Sequence, residues 1–255
     1  MTLAARGLTL RVPGRTLVEA LDLEVKPGER WAVLGPNGAG KTSVLAALAG
    51  LREPASGAVT LESRPLVHYG RRELATRVGI LLQEEPESFW GSTLDYVRLG
   101  ALARGGAGLT ADPAVERDAR EALGSLDLAE HAHQPYRTLS GGERQRARIA
   151  QLLVQSPHYL LLDEPLTHLD LRHQLATIER LGALAHAGRA VVMALHEPWL
   201  AARYCDHALL LYDSARFSAG PADTLLRREP LERLYGCTLE AFAEAGRRLF
   251  PPVSP

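Results

Sequence analysis

The sequence is poor in several things, and each absence narrows its class. Only two of 255 residues are cysteine, Cys205 and Cys237. That is too few for a disulfide framework or a Cys-rich zinc site, and it suits two unpaired thiols in a reducing compartment. Neither sign of charge is in surplus: 29 Lys and Arg against 30 Asp and Glu leave a formal net charge of -1. A nucleic-acid footprint normally needs a basic excess, so no nucleic-acid partner is expected. Arg144, Arg146 and Arg148 are one candidate for a local basic patch. No apolar run approaches the ~18 residues of a membrane span; runs such as those within HYLLLD and HALLLYD have strand length. The start, MTLAARGLTLRV, alternates and carries Arg6 early, without the apolar block of a signal peptide. A soluble, cytoplasmic chain is expected, long enough to bury a real core.

What is present is an alternation of elements. LTLRV (Leu8 to Val12) and LDLEV (Leu21 to Val25) alternate with period two and predict half-buried strands. RWAVLG predicts a short apolar strand, KTSVLAALAGL a helix ended by Gly50, GAVTLES an alternating strand and RVGILLQ a buried one. From Glu84 to about Arg137 the strand signals stop. STLDYVRLGALAR has helical spacing, Gly105 to Gly108 break it, and Asp112-Pro113 opens a helix through AVERDAREALGSL as N-cap and first-turn pair. Strand and helix patterns then alternate through YLLLD, LRHQLATIERLGALA, RAVVMALH, EPWLAARYC and HALLLYD. That order predicts an α/β chain with a mostly parallel sheet covered on both faces. From Pro221 the pattern suggests short helices and a Pro-rich end.

Two motifs carry chemistry. GPNGAGKT, running Gly35, Pro36, Asn37, Gly38, Ala39, Gly40, Lys41 and Thr42, matches the P-loop pattern after a predicted strand and before a helix. Its glycines let successive backbone N–H groups curl toward phosphate oxygens. Lys41 would reach the β- and γ-phosphates, and Thr42 or the following Ser43 would offer a hydroxyl to Mg²⁺. YLLLDEP then supplies the metal-side carboxylate: Asp163 ends a doubly buried strand, where ligands bind in open α/β sheets. Glu164, next to it, is placed to act as general base toward a hydrolytic water. A second glycine-rich helix start, LSGGERQRARIA (Leu139 to Ala150), offers another anion site through free N–H groups and the helix dipole.

With these motifs in this order, the chain resembles an ATP-binding-cassette (ABC) transporter ATPase subunit over nearly its whole length. The resemblance implies a P-loop NTPase (RecA-like) core with an N-terminal antiparallel β subdomain and an inserted α-helical subdomain. It divides one domain, 1–255, into a core (approximately 1–84 and 150–220), a helical subdomain (85–149) and a helical tail (221–255). Gln83 matches the glutamine that senses magnesium and contacts the membrane partner. Ser140, Gly141, Gly142 and Glu143 match the signature sequence, Asp170 ends the loop that crosses the dimer interface, and His196 matches the switch histidine. In such a family two copies sandwich two ATP molecules head to tail, each signature closing the other's P-loop site. ATP and Mg²⁺ are therefore the implied cofactors, and separate transmembrane permease subunits the implied partners. The insert EEPESFWGSTLDYVRLGALAR would face the permease, with the chain on the inner face of the membrane.

The tail, in LAARYCD, a glycine-proline and LERLYG, resembles that of ATPases serving iron-siderophore, haem and cobalamin importers, which also use a solute-binding protein. Other ABC transporter classes, and soluble ABC ATPases of cluster assembly, are the alternatives. The family's adenine-stacking aromatic is missing upstream of the P-loop; Val12, with Arg11 or Arg15, takes its place. His131, His133 and His168 are expected to carry no chemistry.

Overall fold

Two hydrophobic periodicities built on one sheet define the molecule, seen in a computed structural model. Residues 2–83, 89–105 and 112–239 are described throughout, and 242–244 and 247–249 as backbone. In chain order, β1 (Leu3–Val12), β2 (Arg15–Val25) and β3 (Arg30–Leu34) lead to α1 (Lys41–Leu48). β4 (Ser56–Leu61), β5 (Arg64–Pro65), α2 (Arg71–Arg77) and β6 (Val78–Leu81) follow, then α3 (Thr93–Arg98), α4 (Pro113–Gly124) and α5 (Gly141–Gln155). β7 (Tyr159–Asp163), α6 (Leu171–His186), β8 (Ala190–Ala194), α7 (Pro198–Tyr204) and β9 (His207–Leu211) complete the alternating part. The tail holds β10 (Phe217–Pro221), α8 (Ala222–Leu225), α9 (Arg228–Tyr235), β11 (Phe242–Glu244) and β12 (Arg247–Leu249).

The larger sheet has the order β10-β9-β3-β8-β7-β6, parallel except for β10, which pairs antiparallel with β9. The smaller sheet, β2-β1-β4-β5, is antiparallel throughout. Successive strand residues point to opposite faces, and the cores sort accordingly. Ala32, Leu34, Leu160, Leu162, Val191 and Met193 join the cluster formed with α3 to α9. Their neighbours Trp31, Val33, Tyr159, Leu161, Ala190 and Val192 join the cluster formed with α1 and the antiparallel sheet. Strands buried on both sides need no polar alternation, which is why YLLLD and AVVMA read as continuous apolar runs.

The sequence patterns place most elements well. Asp112 caps α4 through a bond from the Ala114 N–H, with Pro113 in the first turn. In the helical part Tyr96 stacks on Tyr136 at 4.0 Å and Phe89 meets both edge-on. Two features depart from expectation: β10 adds an antiparallel edge strand, and the tail follows its two helices with the paired strands β11 and β12. Glu84 to Ser88 of the insert and Gly106 to Gly108 lie outside the described residues.

Candidate nucleotide site

The P-loop connects the end of β3 to α1, so its backbone lies at the C-terminal edge of the parallel strands. Only glycine fits at position 35: a Cβ there would stand 2.6 Å from the Leu211 carbonyl oxygen of β9. Lys41 is buried, and its Nζ donates to the carbonyls of Gly35 at 2.8 Å and Pro36 at 3.3 Å. The ammonium thus folds back across the loop it follows, where an incoming phosphate would take over those bonds. Burial holds its pKa below the ordinary value, while Glu164 and Asp163 pull it back upward. A cation in a desolvated site gains more from an anion than it would in water.

Asp163 ends β7 and is almost fully buried, at 1% exposure. Thr42 donates its hydroxyl to Asp163 Oδ2 at 2.6 Å, whereas Oδ1 is buried without a partner. Burial raises the Asp163 pKa, and the Thr42 bond opposes that rise. A buried carboxylate oxygen lacking a donor costs free energy unless a cation or water meets it. Among the described residues no three His, Cys, Asp or Glu side chains converge as a metal set. A cation here would be a hard one that accepts hydroxyl, carboxylate, phosphate and water oxygens, as Mg²⁺ does.

Glu164 is held at the mouth of this site in a backbone conformation unusual for its type, φ 51°. His196 Nε2, just past β8, lies 2.6 Å from Glu164 Oε1, and Gln83 Nε2, just past β6, donates to Oε2 at 3.0 Å. Three strand ends, β6, β7 and β8, therefore bring Gln83, Glu164 and His196 onto one carboxylate. Anchors and reactive groups divide by depth: Lys41 and Asp163 are buried, while Asn37, Gly38, Thr42, Gln83 and His196 face solvent.

The signature segment forms a separate construction at the start of α5. Ser140 caps the helix, its Oγ accepting from the Glu143 N–H at 3.3 Å while its own N–H donates to Glu143 Oε2 at 2.7 Å. Gly142 packs so tightly on the Asp170 loop that a Cβ would stand 2.8 Å from the His168 carbonyl. Asp170 caps α6 by accepting from the His173 N–H. The capping bonds between Ser140 and Glu143 lie within one turn, and the side-chain bonds of Lys41 lie within the P-loop. Ser140 and Asp170 are exposed.

Sequence reasoning missed several supporting side chains. His131, expected to be inert, lies with Nε2 3.2 Å from Glu143 Oε1. Arg52 donates to Ser43 Oγ at 3.1 Å and to the Arg11 carbonyl, so Ser43 is engaged away from Asp163. Gln145 and Arg148 contact the neighbourhood of Glu164 and Gln83 from α5. No local pattern marks such residues, because each acts across 9 to 66 positions of sequence.

Comparison with known proteins gives the family. Residues 18–167 match the family described as ABC transporter. A hemin import ATP-binding protein HmuV of Gloeobacter violaceus is 40% identical over 246 residues, spanning 92% of this chain and 87% of its own. The protein of that name from Pseudomonas aeruginosa is 39% identical, with 92% of each chain covered. Among solved structures, a transporter described as of metal-chelate type, in an inward-facing conformation, superposes with a TM-score of 0.84 at 26% identity, covering 99% of this chain and 98% of that one. CbiO1 of Clostridium perfringens, part of a transporter complex cbiONQ, gives 0.74 at 25% identity, with 91% and 92% covered. A family match across more than half the sequence, and relatives near 40% identity along nine-tenths of it, show that the chain belongs to the ABC transporter family.

Proposed function

We propose that this chain is the ATP-hydrolysing subunit of an importer, driving uptake of haem or a related metal chelate, of the iron-siderophore or cobalamin type, through separate permease subunits. One observation carries the hydrolytic part: the Glu164 carboxylate is gripped by His196 and Gln83 directly beside the Asp163–Thr42 pair. The hemin importers among its relatives support the cargo class. On this reading the P-loop N–H groups and Lys41 bind the β- and γ-phosphates. Glu164 takes a proton from the attacking water, and His196 orients Glu164 and the γ-phosphate. Thr42, Asp163 and Gln83 would hold Mg²⁺, which when bound neutralises phosphate charge; the unpartnered Asp163 Oδ1 fits that role. Ser43 supports the loop from its bond to Arg52.

The second anion site belongs to the partner's nucleotide. Ser140, Gly141, Gly142 and Glu143 would close the opposite copy's γ-phosphate, with Asp170 crossing the interface, in a two-fold dimer holding two ATP molecules. Donors on that face stabilise charge spread over the phosphoryl oxygens. The division into a core, a helical subdomain and a tail follows the same reading, with α5 shared between the first two. No described helix is long and apolar enough to cross a membrane. The chain then sits on the inner face of the membrane through permease subunits, fed by a solute-binding protein.

Glu164→Gln tests the reading. A general base contributes roughly 10² to 10⁴ in rate, so hydrolysis should fall by at least that lower factor. MgATP should meanwhile give a persistent dimer on size-exclusion chromatography. Hydrolysis near the parental rate would remove Glu164 from the mechanism.

A further inference from the structure

The side chains that grip Glu164 from the solvent side have a counterpart behind it. Gln145 and Arg148 stand one turn apart on α5, the helix whose first turn is the signature, and both are buried. Gln145 Nε2 donates to the backbone carbonyl of Glu164 at 3.2 Å, and its Oε1 accepts from Arg148 Nη1 at 3.0 Å. Arg148 in turn donates to the carbonyls of Leu82 and, at 3.5 Å, Gln83. Gln83 completes the circuit by donating from its side chain to Glu164 Oε2. The result is a closed ring: Glu164 carboxylate, Gln83, Arg148, Gln145, Glu164 carbonyl.

Two physical consequences follow. A non-glycine residue at positive φ persists only when its surroundings over-determine it, and Glu164 has φ 51°. The Gln145 bond fixes the carbonyl that this conformation turns toward α5. The ring also ties the segment carrying Gln83 to the one carrying Glu164, which follow the paired strands β6 and β7. Both are referred to the same rigid helix, so their mutual distance depends on where α5 sits. Buried polar rings of this kind are stable when every member is satisfied and costly when one is removed.

We propose that Gln145 and Arg148 are positioning residues for hydrolysis, holding Glu164 and Gln83 in register and coupling that register to α5. This rests on the reading of Glu164 as the base and of Ser140 as a contact to the opposite copy's nucleotide. On that reading α5 touches one ATP at its first turn and, a turn later, sets the base for the other. ATP at one site thereby adjusts the catalytic geometry of its neighbour, which is a coupling between sites carried by a named helix.

Two variants test it: Arg148→Met, which keeps the stem and loses the donors, and Gln145→Glu, which keeps size and an acceptor for Arg148 but cannot donate to Glu164. Arg148→Lys serves as the conservative control. In both test variants kcat should fall about tenfold or more, with ATP affinity within about twofold of the parent, and the Hill coefficient for ATP should move toward 1. Arg148→Lys should recover part of both. Circular dichroism and melting temperature check that each variant folds; should Arg148→Met fail to, Gln145→Glu decides. A kcat within twofold of the parent, or an equal loss of affinity and kcat with an unchanged Hill coefficient, overturns the proposal. Failure of Glu164→Gln to trap a dimer would instead refute the underlying reading, while leaving the kcat effect on Glu164 positioning separately measurable.

Discussion

Arg15 stands where the sequence leaves the base of the nucleotide without an aromatic platform. Its Nη2 reaches both the carbonyl and the carboxylate of Asp213 at 3.4 Å, and Nη1 lies 3.8 Å from where a Cβ of Gly38 would be. Val12 beside it is half-buried and Arg11 is exposed. The planar guanidinium is therefore tethered at the edge of the P-loop, where a purine can lie against it. Cation–π and stacking contacts at exposed sites contribute about 0.5–1 kcal/mol, a few-fold in affinity. Arg15→Ala should weaken ATP by roughly that few-fold factor and leave inorganic tripolyphosphate unchanged, with Arg15→Tyr restoring ATP; calorimetric titration measures all three. An equal loss for both ligands would make Arg15 a phosphate contact, and a marked preference for GTP would remove adenine from the assignment. At this scale the sequence was legible wherever chemistry demands a residue type at a fixed spacing. GPNGAGKT and Asp163-Glu164 are such cases. Arg52, His131 and Arg148 were not, because their partners are groups brought near only by the fold.

At the start of α5, capping and the proposed ligand meet on one turn of helix. Ser140 and Glu143 form a reciprocal capping box, a device that satisfies two otherwise orphaned backbone donors. Its bond from the Ser140 N–H, chiefly, holds the Glu143 carboxyl below its ordinary value of 4.5, with a smaller push from nearby His131. A carboxyl whose pKa is depressed on folding stabilises the native state fully above its unfolded value, and that stabilisation fades as pH falls through the lowered one. Replacing Glu143 by glutamine would keep the box without the charge. The urea midpoint of the parent should therefore exceed that of Glu143→Gln at neutral pH, and the gap should close as pH drops below 4.5. A gap independent of pH would mean that the charge contributes nothing to the cap. Ser140→Ala should cost about 1 kcal/mol as a lost N-cap, and Ser140→Asp should keep the cap while setting a negative charge against the partner's γ-phosphate. Element boundaries were readable where caps mark them, as at Asp112-Pro113. They were not readable in the tail, where β11 and β12 are three residues each and too short to show a period.

At the scale of the molecule, one six-stranded sheet separates two apolar clusters, and the proposed phosphate and metal contacts of the core hang from its C-terminal edge. The P-loop follows β3, Asp163 ends β7, and His196 follows β8. These are the strands whose alternate residues feed both clusters. Alternation across a shared sheet was hidden in the sequence, because a strand buried on both faces shows no polar period. It implies that the antiparallel sheet and the helical part do not melt independently, since removing either exposes one face of the same strands. A ligand bound at the strand ends should then stabilise the whole. At a hundred times its dissociation constant ATP adds about 2.7 kcal/mol, and at this chain length each kcal/mol raises the melting point by about 2–4 °C. Differential scanning calorimetry of the Glu164→Gln chain, which spares the nucleotide, should show one transition moving up by roughly 5–10 °C with MgATP. Lys41→Ala should abolish most of that shift, because the buried ammonium is the cation the phosphates replace the Gly35 carbonyl to reach. Chelating the metal should reduce the shift, since Asp163 then meets the nucleotide with its charge uncompensated. Two transitions, with only one moving, would show that the clusters unfold separately and that the sheet does not bind them into one cooperative unit.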